Sequence, residues 1–308
     1  MRTPLGETVL PERLAKSMYD QLSDRIRKFS KRLCLAGVLA SDDAGSHQYA
    51  EWTRETCQTV GVDFCLIRLS PRNVATYIKA LNVNPCIHGI IVYYPIFGDS
   101  RDEELKNIVN HAKDVEALNR EPSLRFPEVT ESQEQARLAP TLVPTLVPCT
   151  ARAVEFILHH IGIYDQRLPA KQQLRKWEIC IINRSDVVGL PLARLLAGQG
   201  ACIYSVDITG VQLFHLDSAP YGVDKVQSVA TQWTLQDAVR ISGVIISAVP
   251  HSAFKVDTKW LRSGVICVNV SSCKNFEPDV LEIASKFVPR VGNLTIAALL
   301  NNLLNCVN

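Results

Sequence analysis

The chain has no excess of one charge, no long apolar run, no paired cysteine motif and no glycine-rich phosphate loop, and each absence removes a class of function. Net charge is +2 with 21% charged residues, and acidic and basic side chains are interleaved, so no basic face exists to neutralise a nucleic-acid backbone. No apolar stretch approaches the roughly 18 residues that a membrane helix needs. The first residues carry Glu7 and Glu12 and lack the apolar core of a secretory signal. The ten cysteines are scattered without a C-x-x-C pair, several of them inside apolar runs such as Ile179–Ile182. Reduced, packed thiols in a reducing, cytoplasmic setting are therefore expected, and not disulfides or zinc. His159 and His160 are adjacent and point apart, so no metal site is expected, and the absence of G-x-S-x-G excludes a serine nucleophile elbow. What remains is a soluble protein with a small-molecule partner, without nucleic acid or membrane. Its 308 residues favour two domains over one core.

What is present is organised around Trp177–Asp207. The apolar run Ile179–Ile182 leads into the polar loop Asn183-Arg184-Ser185-Asp186, and apolar positions at Val187, Val188, Leu192, Leu195 and Leu196 then repeat with helical spacing. Gly198 and Gly200 stop that helix, and Ala201–Val206 forms a second strand ending on Asp207. Strand, turn, helix and strand make a βαβ unit. The loop has only Gly189 where a full G-x-G-x-x-G has three glycines, so by itself it fits an ordinary turn as well as a dinucleotide site. Asp207 shifts the balance, because a carboxylate at the tip of the second strand accepts hydrogen bonds from both ribose hydroxyls and repels a 2′-phosphate. Arg184 pulls toward NADP, unless Asp186 and Asp207 neutralise it. The reading favours NAD.

Elsewhere β and α patterns alternate. Helices are expected at Pro11–Phe29, His47–Val60 (capped by Ser46), Asn73–Leu81 and Asp102–Ala112, with strands at Leu33–Ala40, Phe64–Leu69 and Gly89–Tyr94. Residues Arg120–Pro148, including a tandem T-L-V-P, read as a long connection. Thr150 caps the next helix. After Asp207 the chain reads as irregular to about Ser228, followed by a short helix around Leu235–Ile241, buried strands Val244–Val249 and Val265–Val270, a helix near Pro278–Lys286, and a last helix from Thr295. The fold class is α/β in two domains: an N-terminal α/β domain over residues 1–149, completed by helix 295–308 returning to it, and a Rossmann domain over 150–294. Ligands in such sheets bind at the carboxyl ends of strands, which draws attention to the loop after Leu39 and to Tyr93-Tyr94-Pro95-Ile96-Phe97. Asp114 and Glu116, two carboxylates in one loop, fit either a hold on a polar heterocycle or an ordinary solvated acidic loop.

Six co-linear blocks, S-H-Q-Y-A-E-W-T, G-I-I-V-Y-Y-P-I-F, K-D-V-E-A-L-N, P-C-T, I-N-R-S-D-V-V-G-L-P-L-A-R-L-L and V-G-N-L-T-I-A-A-L-L, resemble the signature blocks of the methylenetetrahydrofolate dehydrogenase/cyclohydrolase family. Within it the chain is most similar to the monofunctional NAD-dependent branch. That resemblance implies oxidation of 5,10-methylenetetrahydrofolate by hydride transfer to NAD, a folate-binding N-terminal domain and a homodimer. It further implies that Tyr49 borders the aminobenzoate and Glu116 holds the pterin as the catalytic pair, with Thr53, Tyr93, Pro95 and Asp114 also lining the substrate site. Asn183, Arg184, Ser185, Gly189, Asp207, Pro250 and Thr295 line the cofactor site. Bifunctional members carry a lysine where this chain has Thr53 and a glutamine where it has Tyr93, and both are associated with hydrolysing the methenyl product. A threonine hydroxyl does not titrate near neutral pH, so the cyclohydrolase step is expected to be weak or absent. A lysine restored at position 53 gains hydrolysis only if Tyr93 leaves room. Ala117 stands at a usual glycine and R-V-G-N-L-T at a usual G-V-G-P-M-T. The alternatives are a bifunctional dehydrogenase/cyclohydrolase and a non-catalytic NAD-binding protein of the same fold.

Overall fold

The computed structural model describes residues 6–119, 146–217 and 225–307. These fall into two compact units, one of residues 15–119, 146–149 and 295–307, the other of residues 6–14 and 150–294. The expected connection Arg120–Pro148 lies outside the described residues up to position 145. The chain opens with β1 (Glu7–Thr8) and α1 (Pro11–Ile26), whose Ala15, Leu22 and Ile26 are buried.

In the first unit, β2 (Cys34–Leu39), β3 (Asp63–Arg68) and β4 (Gly89–Val92) form a parallel sheet ordered β3-β2-β4. Its crossovers contain α2 (Ala44–Val60) and α3 (Val74–Val83), and α4 (Ser100–Ile108) follows β4. The apolar runs that mark β2 and β4 are buried on both faces, as parallel strands between helices must be. Val38, Ile90 and Val92 pack with Val74, Ile78 and Leu105 into one core cluster. The cap of α2 is Asp43, which accepts a hydrogen bond from Ser46 N at 2.7 Å, so the helix starts three residues before the expected His47. Ser46 is thus inside the first turn and gives its backbone amide to the cap instead of providing the cap.

The second unit carries α5 (Cys149–Ile161, with Thr150 inside its first turn and not capping it), β5 (Glu178–Ile182), α6 (Gly189–Gly198) and β6 (Cys202–Asp207). Next come β7 (Gly210–Asp217), β8 (Lys225–Ala230), α7 (Leu235–Ile241), β9 (Val244–Ser247), β10 (Ile266–Asn269) and β11 (Lys286–Val288). They form one sheet ordered β1-β11-β10-β9-β5-β6-β7-β8. It is parallel from β1 to β6 and ends in antiparallel β6-β7-β8. From β5 the chain proceeds to β6 on one side and later to β9 on the other, which makes the β5/β9 junction the topological switch point where open α/β sheets take ligands.

Three expectations are corrected. The described residues after Asp207 form the β7-β8 pair and are not irregular, because Gly210 takes φ +108° and turns the chain straight back along β6. Pro278–Lys286 is not a helix: it holds only a 3-10 turn at Val280–Glu282 before β11. The first residues do not join the N-terminal domain, since Glu7 and Thr8 pair with Lys286 and Phe287 of β11. The last helix, α8 (Gly292–Cys306), returns to the first unit from Thr295 onward, with Leu299, Leu300, Leu303 and Leu304 fully buried. No described helix is long and apolar enough to cross a membrane.

Candidate active site

In the first unit the candidate residues converge on the exit of β4. Tyr93 continues the ladder beyond β4 through Tyr93 N to Val38 O at 3.0 Å, and its ring meets that of Tyr49 edge-on, with centroids 5.9 Å apart. Gly37 on β2 makes this possible, because a Cβ there would lie 2.6 Å from the Phe64 ring and 3.2 Å from that of Tyr93. One turn after Tyr49, Thr53 is fully buried and its hydroxyl donates to Tyr49 O at 2.8 Å. Thr53 therefore spends its hydroxyl proton within the helix. Tyr93, 3% exposed, fills the adjoining space. The Tyr49 and Tyr94 hydroxyls are buried without a hydrogen-bond partner. Orphaned buried donors of this kind cost free energy unless a ligand satisfies them.

Past the cis peptide Tyr94–Pro95, the loop is fixed by one carboxylate. Asp102 of α4 accepts from Ile96 N, Phe97 N and Gly98 N at 2.9 to 3.3 Å. This places Pro95 on an exposed, anchored turn. Asp114 is also spent on its own loop, accepting from Glu116 N at 3.2 Å and Asn119 N at 2.7 Å, so it shapes the turn that presents Glu116. Ala117 adopts φ +54°, the left-handed conformation usual for glycine, which leaves the turn intact despite the substitution.

Glu116 is half-buried. Burial and the Asp114 charge push its carboxyl up to about 8, while the Val92 amide and Lys106 pull it down. Lys106 is itself buried, paired with Glu103 at 2.5 Å and set 5.3 Å from the centre of the Tyr94 ring. Cys149, which the sequence reading counted only as a packed thiol, is buried within the field of Glu116 and donates to Val115 O at 3.1 Å; burial pushes its thiol well up, so it is protonated. Its signal was the P-C-T block. Asp102, Lys106 and Gly37 left no motif, since their importance is spatial.

In the second unit, Asn183 ends β5 at φ +84° and its side chain donates to Ala248 O beyond β9 at 2.7 Å. It thus ties the two strands of the switch point together, and its amide nitrogen is occupied. Gly189 is mandatory, because a Cβ there would lie 1.9 Å from Asn183 O. The backbone pinch leaves the helix start open for close approach of a ligand's phosphates. Ser185 is half-buried beside it, its carbonyl accepting from Leu190 N. Asp207 accepts from Arg184 N through one carboxylate oxygen and from Ile208 N through the other, both at 2.7 Å. Each oxygen retains a lone pair. Arg184 is not free to take a phosphate: its guanidinium donates to Ser205 Oγ, Ser205 O, Thr209 Oγ1 and Gly210 O at 2.6 to 3.3 Å. Neutral strand-end oxygens hold it, in addition to any carboxylate. Pro250 is exposed just past β9, on the same strand ends. Thr295 lies in the first turn of α8, where the chain passes from one unit to the other. The pinched loop, the two acceptor oxygens and the sequestered arginine fit NAD. Among the described residues no cluster suited to a metal occurs.

Residues 10–116 match the family profile described as tetrahydrofolate dehydrogenase/cyclohydrolase, catalytic domain. A protein of Schizosaccharomyces pombe named methylenetetrahydrofolate dehydrogenase [NAD(+)] is 34% identical, covering 97% of this chain and 92% of its own. The chain belongs to the tetrahydrofolate dehydrogenase/cyclohydrolase family. Another family member of that name, from Dictyostelium discoideum, is 32% identical over 96% of this chain and 92% of its own. The solved NAD-dependent 5,10-methylenetetrahydrofolate dehydrogenase of Saccharomyces cerevisiae superposes with a TM-score of 0.89 at 30% identity, covering 99% of this chain and 98% of that one. Against a bifunctional family enzyme from Campylobacter jejuni the TM-score is 0.72 at 20% identity, covering 97% of this chain and 98% of that one; this extends the two-domain fold alone.

Proposed function

We propose that this chain is an NAD-dependent 5,10-methylenetetrahydrofolate dehydrogenase with little or no cyclohydrolase activity. The observation that carries the reading is the closed pair at positions 53 and 93. Thr53 is fully buried with its hydroxyl spent on Tyr49 O, and the Tyr93 ring occupies the space beside it. No titrating side chain reaches the substrate from position 53 to assist hydrolysis.

Oxidation survives that loss on physical grounds. Removing hydride from the folate methylene carbon leaves a cation stabilised by its two flanking nitrogens, so no obligatory base is required and positioning with exclusion of water dominates. Bound NAD supplies the hydride acceptor. The chain's own part is to hold the folate: Tyr49 borders the aminobenzoate and offers its unpartnered hydroxyl, and Glu116 accepts from the N–H donors of the pterin edge. Pro95 and the anchored turn wall the same side. On the cofactor side Asp207 takes the ribose hydroxyls, Gly189 and Ser185 admit the phosphates, and Pro250 and Thr295 complete the lining. Arg184 is withheld from a 2′-phosphate by Ser205 and Gly210, which favours NAD over NADP.

By family analogy the protein is a cytoplasmic homodimer, which light scattering and fractionation test. The deciding assay follows methenyltetrahydrofolate absorbance with NAD and NADP side by side. Product is expected to accumulate with NAD and to decay no faster than in buffer. Accelerated decay, or a strong preference for NADP, overturns the reading.

A further inference from the structure

The switch-point strand β9 ends in three residues that are clamped from both neighbours. On one side, Asn183 donates to Ala248 O at 2.7 Å. On the other stands Asn275, fully buried in the loop after β10. Its Oδ1 accepts from Val249 N at 3.1 Å and Ser247 Oγ at 3.0 Å, and its Nδ2 donates to Val249 O at 3.0 Å. The amide orientation is forced, because the opposite one would set an NH2 group against the Val249 N–H and an oxygen against the Val249 carbonyl. Asn275 is held in turn by its own N–H donating to Asn269 Oδ1 at 3.0 Å, and Asn269 Nδ2 donates to Ser271 O at 2.8 Å and Pro289 O at 3.2 Å.

The side chain of Asn275 thus does for Val249 what a neighbouring strand would do, with one donor and one acceptor on the two backbone groups of a single residue. That is where the sheet stops providing partners: β9 and β10 last pair at Ser247 and Asn269, followed by one further backbone bond, Val270 N to Ser247 O. An ordinary strand end would leave the Val249 N–H and C=O to water and its loop free to wander. Here the strand end is extended by a buried amide, so Pro250 departs from a fixed backbone.

We propose that Asn275 is a positioning residue of the cofactor site, holding the β9 exit rigid so that the segment through Pro250 presents one surface to NAD. It touches no reacting atom and acts through Val249. The inference rests on the reading that NAD binds at the β5/β9 switch point.

The test measures NAD binding directly by titration calorimetry on full-length wild type and on Asn275→Ala, Asn275→Asp and Ser247→Ala, together with KM for each substrate. Loss of the two bonds to Val249 in Asn275→Ala is expected to weaken NAD binding by roughly tenfold and to raise KM for NAD in step. KM for the folate should stay within about twofold, a split that general destabilisation does not produce. Asn275→Asp places a carboxylate against the Val249 carbonyl, so NAD binding should be weak at alkaline pH. It should recover as pH falls and the protonated acid regains a donor, whereas wild type shows no such recovery. Ser247→Ala, which spares the Val249 pair, is expected to change NAD binding by less than about threefold. If Asn275→Ala does not fold, the Asn275→Asp profile decides alone. Equal loss of both substrates, unchanged NAD affinity in folded variants, or an Asn275→Asp profile parallel to that of wild type overturns the proposal. Failure of wild type to bind NAD overturns the cofactor reading instead.

Discussion

Glu116 is a half-buried acid whose carboxyl is pushed up to about 8, mainly by desolvation, and this fixes the sign of its pH effects. If its carboxylate accepts from the pterin edge, kcat/KM for the folate should rise as pH passes upward through about 8, and Glu116→Gln should abolish that inflection. Stability moves in the other direction. A native pKa above the unfolded value near 4.3 means that Glu116 favours the folded state fully below that lower value. The contribution declines as pH rises from there to about 8. Relative to Glu116→Gln, wild type should therefore lose up to a few kcal/mol across this window, readable from urea midpoints at pH 4.5 and 8.5; a constant difference refutes the buried-acid account. Gly189 gives a steric prediction. Since its Cβ would overlap Asn183 O at 1.9 Å, Gly189→Ala must move the loop, and NAD affinity should fall roughly tenfold or more while folate binding persists. Asp207 was legible as an acid at a strand end and Glu116 as one of two carboxylates in a loop. The fate of Arg184 was not, because a guanidinium's partners depend on carbonyl directions that appear only when β6 turns into β7.

At the scale of elements, the contact between α2 and the exit of β4 carries the specificity. Tyr93 packs over Gly37 and Thr53 is fully buried, so a single Thr53→Lys change has no space for its ammonium. It should destabilise the protein by roughly 3–5 kcal/mol as a buried unpaired charge and gain no hydrolysis. The pair Thr53→Lys with Tyr93→Gln removes the obstructing ring, and it should recover stability and accelerate decay of the methenyl product above the buffer rate. Hydrolysis by the single variant would show that position 53 is open after all. Helices and buried strands were readable here because parallel strands between helices write long apolar runs, as in β4, β9 and β10. The β7-β8 pair was not, since β8 is mostly exposed along its length and loses the alternation that marks a half-buried strand. The expected helix at Pro278–Lys286 failed for a related reason: β11 is only three residues long, too short to show a period against its flanks.

For the molecule as a whole, the first unit is built from residues near the start of the chain and finished by the last ones. The return of α8 could be anticipated from an apolar face with no strand left to serve, whereas the capture of Glu7 and Thr8 by β11 could not, because a two-residue strand has no pattern. The dependence on α8 is quantitative. Leu299, Leu300, Leu303 and Leu304 are fully buried, and Asn302 Nδ2 donates to both Val115 O and Val147 O at 2.9 Å, next to Glu116 in sequence. Four buried leucines at about 1.5–3 kcal/mol each amount to about 6–12 kcal/mol, comparable with the whole stability of a domain. Ending the chain after Thr295 should therefore unfold the first unit and leave the second, whose sheet contains none of the deleted residues. Hydrogen exchange is expected to show β2 and β4 unprotected and β5, β6 and β9 still protected, with NAD binding retained and folate binding lost. Protection of β2 and β4 in the shortened chain would mean that the first 119 residues hold their own core, and that α8 is an addition to it and not a part.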